Sequence, residues 1–317
     1  MAVDGRWLRE EDKYGMTREN IEVLTKRFFE NTSHNFVSPE AALRPKLANM
    51  QIFDRPIWGI ASAADPGFLA LRSEGVIGPH VKMPGEWLSG ARSVLSFFFP
   101  FTEQVRRANR QDSEETASEW LHGRIEGQHM LEEFGRFFCR NLGERHAVVP
   151  VLDPQFWSRV YIERGRRAST SNWSERHVAF LCGLGTFGIS GGLITAKGTA
   201  GRLISIVTDL ALPATPRTYR GIYEYCIRCG ACARNCPARA ISLNTGRDQA
   251  ACSAYVEKSK LRYRPRYGCG KCQVGVPCEA RRPFDILRHR ELPAEPVKCL
   301  SGDEGRSGDN LLSCRMN

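Results

Sequence analysis

The sequence predicts an α/β (α+β) protein in which helices cover a sheet and a cysteine-rich module follows. Short apolar runs and amphipathic helical segments alternate as far as about residue 215. Prolines and small residues at 213–216 mark a boundary. Eight of the twelve cysteines lie within residues 226–278. We therefore expect a domain over residues 1–215, a metal-binding module over 216–295 and a tail over 296–317.

Each element follows from the spacing of apolar residues. Helices are indicated where apolar residues recur every three or four positions, as at Met130, Leu131 and Phe134. Strands are indicated by short apolar runs that separate loop-like stretches such as 75–90. The predicted helices cover residues 17–31, about 113–142 and 174–181, and the predicted strands cover 58–64, 91–101, 147–152 and 203–210.

Composition excludes several classes of protein. With 42% hydrophobic and 25% charged residues, the chain lies in the ordinary globular range. No apolar run approaches the roughly 18 residues of a membrane span, and the first residues do not resemble a secretory signal. We therefore expect a cytoplasmic protein without a membrane partner. In a reducing compartment, twelve cysteines indicate metal binding or catalysis more than disulfides.

The formal net charge is +10. Such an excess can attract nucleic acid or an acidic redox partner. The arginines are spread along the chain without a dense tract, so nucleic-acid binding is permitted but not favoured. Ligating thiolates would also reduce the positive charge of the loaded protein.

The run C-I-R-C-G-A-C-A-R-N-C-P, from Cys226 to Pro237, is the most specific motif. Its spacing C-x2-C-x2-C-x3-C-P is that of bacterial ferredoxins, in which the fourth cysteine ligates the neighbouring cluster. A zinc ribbon also uses C-x2-C pairs, but the third cysteine and the Cys-Pro pair have no purpose there. The motif therefore predicts two 4Fe-4S clusters.

Two clusters need eight thiolates, and the chain supplies them. We assign Cys226, Cys229, Cys232 and Cys278 to the first cluster, and Cys236, Cys252, Cys269 and Cys272 to the second. The ligand Cys278 departs from the simple motif, because five residues separate it from Cys272 and Pro277 precedes it. Cys299 is the alternative ligand, and the role of Cys314 stays open.

The segment 182–201, C-G-L-G-T-F-G-I-S-G-G-L-I-T-A-K-G-T-A-G, contains seven glycines. Glycine lets backbone approach a ligand closely or adopt positive φ, so this segment is either a tight packing corner or a binding loop. The spacing G-L-G-T-F-G nominally fits a dinucleotide motif. A predicted helix precedes it where that motif requires a strand, so a nicotinamide cofactor is rejected.

The order E-R-H-V-A-F-L-C-G-L-G-T-F-G, G-L-I-T, L-I-S-I-V-T-D-L-A-L and then the cysteines resembles epoxyqueuosine reductases and reductive dehalogenases, over roughly residues 90–285. The resemblance implies a nitroreductase-like domain that holds cobalamin and a ferredoxin-like module whose two clusters reduce its cobalt. It implies that cobalamin contacts the following residues: Ser171, Asn172, Gly183, Leu184, Gly185, Thr186, Gly188 and Gly192.

The resemblance also implies a proton donor near the cobalt. Asp153, which follows the predicted strand 147–152, occupies the place of the family's acidic donor, whereas counting back from Gly183 reaches Ser169. A tyrosine donor is the alternative, with Tyr161 supported by Arg164 or Arg176. Each residue also has an ordinary explanation. Asp153 before Pro154 is a common turn pair, and His177 is expected to be structural.

These expectations combine into an iron-sulfur oxidoreductase that acts on a small or medium organic substrate and receives electrons from an external donor of the ferredoxin or flavodoxin type. One alternative is an electron-transfer protein that reduces a corrinoid on a partner protein. The other is tRNA modification of the epoxyqueuosine reductase type, which the basic charge permits.

Overall fold

The computed structural model describes residues 16–163 and 166–284, so Arg164, Cys299, Cys314 and the predicted tail lie outside the described residues. The helices are α1 (Arg18–Asn31), α2 (Pro66–Ala70), α3 (Pro84–Trp87), α4 (Glu103–Arg110), α5 (Ser118–Leu142), α6 (Glu175–Leu181), α7 (Ala231–Arg234) and α8 (Gln249–Tyr263). The strands are β1 (Ile57–Ser62), β2 (Ser93–Pro100), β3 (Ala147–Val148), β4 (Ser158–Glu163), β5 (Arg166–Ser171), β6 (Gly185–Phe187), β7 (Leu193–Thr195), β8 (Gly201–Thr208), β9 (Ile241–Ser242) and β10 (Gly246–Arg247).

A four-stranded antiparallel sheet in the order β1-β2-β8-β3 forms the centre of the larger domain. In its register Trp58 pairs with Phe97, and Phe97 pairs with Ile204. All residues of β2 are buried, which accounts for its continuous apolar sequence. Because successive side chains of a strand point to opposite faces, β2 contributes to two hydrophobic cores.

Helices α1 and α5 cover one face of the sheet. Phe97 and Phe99 of β2 contact Phe134 of α5, with ring centroids 4.7 and 5.0 Å apart. Phe28 of α1 contacts the same phenylalanine at 5.2 Å. The side chain of Thr17 accepts a hydrogen bond from the backbone N–H of Asn20 and so begins α1.

Helix α6 covers the opposite face. Val94 and Phe98 of β2 belong to the second core, together with Val178 and Leu181 of α6. Trp173, just before α6, contacts Phe68 with ring centroids 6.0 Å apart. The sheet is therefore covered by helices on both faces, as the apolar runs predict.

Several elements differ from the sequence prediction. The predicted strand 147–152 pairs only over Ala147–Val148 and continues as a 3₁₀ turn, Pro150–Leu152, because Pro150 has no N–H for the sheet. The hairpin β4–β5 and helix α8 were not predicted. The strands of that hairpin are largely polar, and α8 has no clear apolar stripe. Among the described residues, no helix is both long and apolar enough to cross a membrane.

Candidate iron-sulfur centre

Four cysteines surround one cavity at the start of the cysteine-rich module. Cys226, Cys229, Cys232 and Cys278 line this cavity. The rest of its wall is mostly apolar or glycine and includes Gly188, Ile189, Ile194, Ile227 and Val276. Cys229 is exposed, and the other three thiols are half-buried. We call these residues the first cysteine set.

The loop of the motif curls around this cavity by means of left-handed backbone. Arg228 has φ 50° and Gly230 has φ 73°, which places a turn on either side of Cys229. Arg234 of α7 donates from Nη1 to the carbonyl of Cys229 at 3.1 Å and closes the loop. The local backbone therefore turns the three closely spaced cysteines of the motif so that their thiols face one cavity.

Main-chain hydrogen bonds fix the position of Cys278 against the sheet domain, the part of the chain that carries the four-stranded sheet. The N–H of Thr199 donates to the carbonyl of Cys278 at 2.9 Å, and that of Ala200 donates to Glu279 at 3.1 Å. Gly198 must be glycine, because its φ is +77° and a Cβ there would lie 2.2 Å from the Glu279 carbonyl oxygen. Of the two candidates for the fourth ligand, Cys278 lies with the other three thiols, while Cys299 is outside the described residues.

Cys236, Cys252, Cys269 and Cys272 form the second cysteine set. The pKa of Cys272 is raised to about 12 by burial first and then by Cys269, Cys252 and Cys232, while Arg247 acts in the opposite direction. Burial also raises the pKa of Cys269, where Cys252 and Cys236 contribute in the same direction. Cys269 and Cys272 are thus affected electrostatically by other members of the second set, and the assignment of these four cysteines to one cluster stays a prediction.

The first set has the same electrostatic pattern. Burial raises the pKa of Cys232 to about 11, followed by the effects of Cys226 and Cys229. The pKa of Cys278 rises to about 12, again from burial first and then from Cys226, Cys232 and Cys229. Crowded, poorly solvated thiols need a metal to exist as thiolates. Both sets fit a 4Fe-4S cluster in the number and chemistry of their ligands, and the first set also lines one cavity.

Lys271, between two cysteines of the second set, joins the module to the sheet domain. Its ammonium donates to the main-chain carbonyls of Asn109, Asp112 and Glu115 at 2.8, 2.8 and 2.6 Å. The side chain of Asn109 in turn donates to the carbonyl of Cys269 at 2.9 Å. These bonds fix the segment that carries Cys269 and Cys272.

The glycines predicted to contact cobalamin lie against protein atoms. A Cβ on Gly185 would lie 2.0 Å from the carbonyl oxygen of Ile194, and one on Gly192 would lie 2.7 Å from Oγ1 of Thr199. On Gly183 it would lie 3.1 Å from the Thr215 side chain. Gly188 lines the cavity of the first cysteine set. Packing therefore accounts for most of the glycine content of this segment.

The other predicted cobalamin residues are also engaged within the chain. Asn172 is buried, donates to the carbonyl of Gln155 and accepts from the N–H of Trp157. Ser171 donates to the Trp173 carbonyl at 2.5 Å, and Thr186 accepts from the N–H of Tyr225 at 2.8 Å. Leu184 is buried in the second core. Cobalamin contact by these residues stays a prediction.

The predicted proton donors lie on separate elements of the chain. Asp153 accepts from the N–H of Gln155 at 2.7 Å, the turn role that its sequence favours. Tyr161 lies on β4, opposite Ala168. Arg176 donates from Nη1 to the carbonyl of Gly191 at 2.7 Å. The catalytic role of Asp153, Tyr161 and Arg176 stays a prediction.

Two neighbours of Arg176 on α6 have unusual pKa values. Burial lowers the pKa of His177 to about 3, and Oγ of Ser174 lies 2.7 Å from its Nδ1, so His177 is a neutral structural residue. Burial raises the pKa of Glu175 to about 7 although Ser205 lies beside it. Both carboxyl oxygens of Glu175 are buried without a hydrogen-bond partner in the described structure. In the sequence, the position of Glu175 at the first turn of a helix already accounts for an acidic residue there, so its burial could not be predicted.

Replacing Glu175 by Gln is expected to stabilise the protein at alkaline pH. The unfolded carboxyl ionises near 4.5 and the folded one near 7, so wild-type stability falls as pH rises between these values. The loss amounts to about 3 kcal/mol from the difference in pKa. E175Q should therefore gain about that much over wild type at pH 8 and nothing near pH 4. Denaturant unfolding at both pH values measures this, and equal stability at pH 8 contradicts it.

Comparisons with known proteins agree with this centre. Residues 220–242 match the 4Fe-4S binding domain family. Over 67 residues the chain is 46% identical to tetrachloroethene reductive dehalogenases from Desulfitobacterium hafniense and from Dehalobacter restrictus (strain DSM 9455 / PER-K23). The match covers 20% of this chain and 12% of those relatives, so the chain spans about an eighth of their length.

Solved structures similar to the chain include the catabolic reductive dehalogenase NpRdhA, with a TM-score of 0.42 and 18% identity over 73% of this chain and 31% of that one. Epoxyqueuosine reductase from Streptococcus thermophilus has a TM-score of 0.42 and 15% identity over 82% of this chain and 66% of that one. The predicted resemblance to these iron-sulfur reductases is confirmed. The predicted fold class, a helix-covered sheet with a ferredoxin-like module, is confirmed as well.

Proposed function

We propose that the protein is a reductase that passes single electrons from two 4Fe-4S clusters to a bound cobalamin for the reduction of an organic substrate. The observation that carries this proposal is the cavity that Cys226, Cys229, Cys232 and Cys278 line together, with a further group of cysteines that act on one another electrostatically. Clusters in such sets supply one-electron reduction when bound. The protein contributes the apolar wall, the thiols and the connection to the sheet domain.

Exposure supports the first cysteine set as the point where electrons enter. Cys229 is the exposed thiol of the described cysteines, whereas Cys272 is half-buried and its segment is held by Lys271 against the sheet domain. An external donor of the ferredoxin or flavodoxin type would approach the surface around Cys229. Electrons would leave from the second set toward the sheet domain.

The sequence match to tetrachloroethene reductive dehalogenases supports reduction of a small organic molecule and supports cobalamin as the electron acceptor. Its cobalt would supply two-electron reduction in single-electron steps. The sheet domain would then bind and orient the acceptor and substrate.

A specific observation favours a second candidate function. The glycines and polar side chains predicted to line cobalamin are occupied by other parts of the chain, as Gly185 is by Ile194 and Asn172 by Gln155. A protein without its own corrinoid could use the same two clusters to reduce a corrinoid bound to a partner protein. The clusters and their ligands are common to both candidates.

Cobalamin retention separates the two candidates. The chain is purified anaerobically, incubated with cobalamin and passed over a gel-filtration column, and its visible spectrum is recorded. Stoichiometric corrinoid absorption that remains with the iron-sulfur absorption is expected for the reductase. A chain that retains none but accelerates reduction of a partner-bound corrinoid supports the carrier. A chain that does neither contradicts both.

A further inference from the structure

Four arginines gather where the sheet domain meets the second cysteine set: Arg124 of α5, Arg176 of α6, Arg202 of β8 and Arg247 of β10. We call them the arginine group. Arg176 and Arg247 meet at Gly191. Arg176 donates to the Gly191 carbonyl at 2.7 Å, and a Cβ on that glycine would lie 3.3 Å from Cζ of Arg247. Gly191 thus lets two guanidinium groups approach the same point.

Arg202 and Arg124 form the other half of the group. Arg202 donates from Nη2 to the side chain of Gln128, which lies one turn after Arg124 on α5. Arg124 donates to the hydroxyl of Tyr267 at 3.1 Å, with its guanidinium carbon 4.6 Å from the centroid of that ring. Nε of Arg202 is buried and has no hydrogen-bond partner in the described structure.

The group carries more positive charge than its surroundings offset. Burial lowers the pKa of Arg202 to about 9, with repulsion by Arg124 as the next cause. Burial also lowers the pKa of Arg176 to about 10, with repulsion by Arg247 next. The carboxylate of Glu132 offsets part of the positive charge of Arg202. The same carboxylate also accepts a hydrogen bond from the side chain of Gln128 at 3.2 Å. An unsatisfied buried donor is destabilising, and a bound acceptor would satisfy it.

Neutralising the negative charge of the second cysteine set does not explain the presence of all four arginines. Arg176 lies close enough to Cys272 and Cys252 for their charges to act on it, and Arg247 acts on Cys272. The groups that act on Arg202 are Arg124, Tyr267 and Glu132, none of which is a thiol. Within the described structure, Arg202 therefore has no thiol among the groups that act on it, and its Nε has no hydrogen-bond acceptor.

We propose that Arg124 and Arg202, with Arg176 beside them, bind a carboxylate or phosphate group of the molecule that receives electrons from the second cysteine set. The fork of N–H groups on a guanidinium matches such an oxyanion and binds it in a bidentate manner. The charges of both Cys272 and Arg124 act on Arg176, so Arg176 lies near the second cysteine set as well as near the proposed anion site. That the bound molecule is reduced rests on the proposed function, whereas anion binding does not.

Calorimetric titration of the oxidised, cluster-loaded protein tests the anion site. Inorganic phosphate is used in one series and acetate in the other, which distinguishes a phosphate from a carboxylate ligand. Wild type should bind at least one of them saturably. Arg202→Gln should weaken that binding at least tenfold, because it removes a charge-assisted hydrogen bond. Arg140→Gln, an exposed arginine at the end of α5, should bind like wild type.

Arg202→Lys keeps the charge without the fork and should bind more weakly than wild type but more tightly than R202Q. It is also the second variant if R202Q does not fold. No saturable binding by wild type, or equal binding by wild type, R202Q and R140Q, overturns the proposal. Because the titration involves no electron transfer, such a failure leaves the reductase proposal standing. Conversely, a chain that lacks clusters but still binds the anion contradicts only the reductase proposal.

Discussion

Replacing Cys278 by serine is expected to halve the iron content, from about eight to about four per chain, because one 4Fe-4S cluster is lost and the other is kept. Cys278 lines the same cavity as Cys226, Cys229 and Cys232. Its main-chain carbonyl accepts a hydrogen bond from the N–H of Thr199, so a serine would occupy the same place but would offer no thiolate to the iron. Iron and acid-labile sulfide assays on anaerobically purified protein measure the change.

Cys139→Ser is the matched control. The thiol of Cys139 lies 3.6 Å from the carbonyl of Ala147, outside both cysteine sets, so this variant should keep the iron content of wild type. Unchanged iron in C278S would show that another residue is the fourth ligand. Loss of all iron would show that the two sets do not assemble independently.

Replacing Lys271 by methionine should lower the free energy of unfolding by about 3–5 kcal/mol, since three main-chain carbonyls lose their charged donor. The side chain is 3% exposed and donates to Asn109, Asp112 and Glu115. Because the same residue holds the segment of Cys269 and Cys272, iron should also be released faster from the variant. Denaturant unfolding and iron release to a chelator, both under anaerobic conditions, measure these effects.

Lys260→Met serves as the comparison, because the Lys260 side chain is 53% exposed and its nearest carboxylate, on Glu257, is 3.9 Å away. A surface pair of this kind contributes about 1 kcal/mol at most. Equal stability of K271M and K260M would mean that the module is held to the sheet domain by other contacts.

The convergence of Cys226, Cys229 and Cys232 on one cavity could be predicted from sequence, because their spacing encodes this geometry locally. The buried strand β2 could also be predicted, since its apolar run reflects two covered faces. Lys271 could not be assigned, because its partners are main-chain carbonyls that are about 160 residues away along the chain. Spacing alone also left the choice between Cys278 and Cys299 open.

The role of the glycine-rich segment 182–201 could not be predicted from sequence. A sequence rich in glycine permits both close ligand approach and close packing, and only coordinates reveal that Ile194 and Thr199 occupy the space beside Gly185 and Gly192. Glu175 and Arg202 resemble ordinary charged residues in the sequence. Their burial depends on which strand and helix meet over them, a property of the tertiary structure.

The central claim is that two 4Fe-4S clusters are bound by two sets of four cysteines. Iron and acid-labile sulfide, measured per chain after anaerobic purification and reconstitution of the wild-type protein, test it most directly. The account predicts about eight irons and about eight sulfides per chain. About four irons or fewer in fully reconstituted wild-type protein would contradict it.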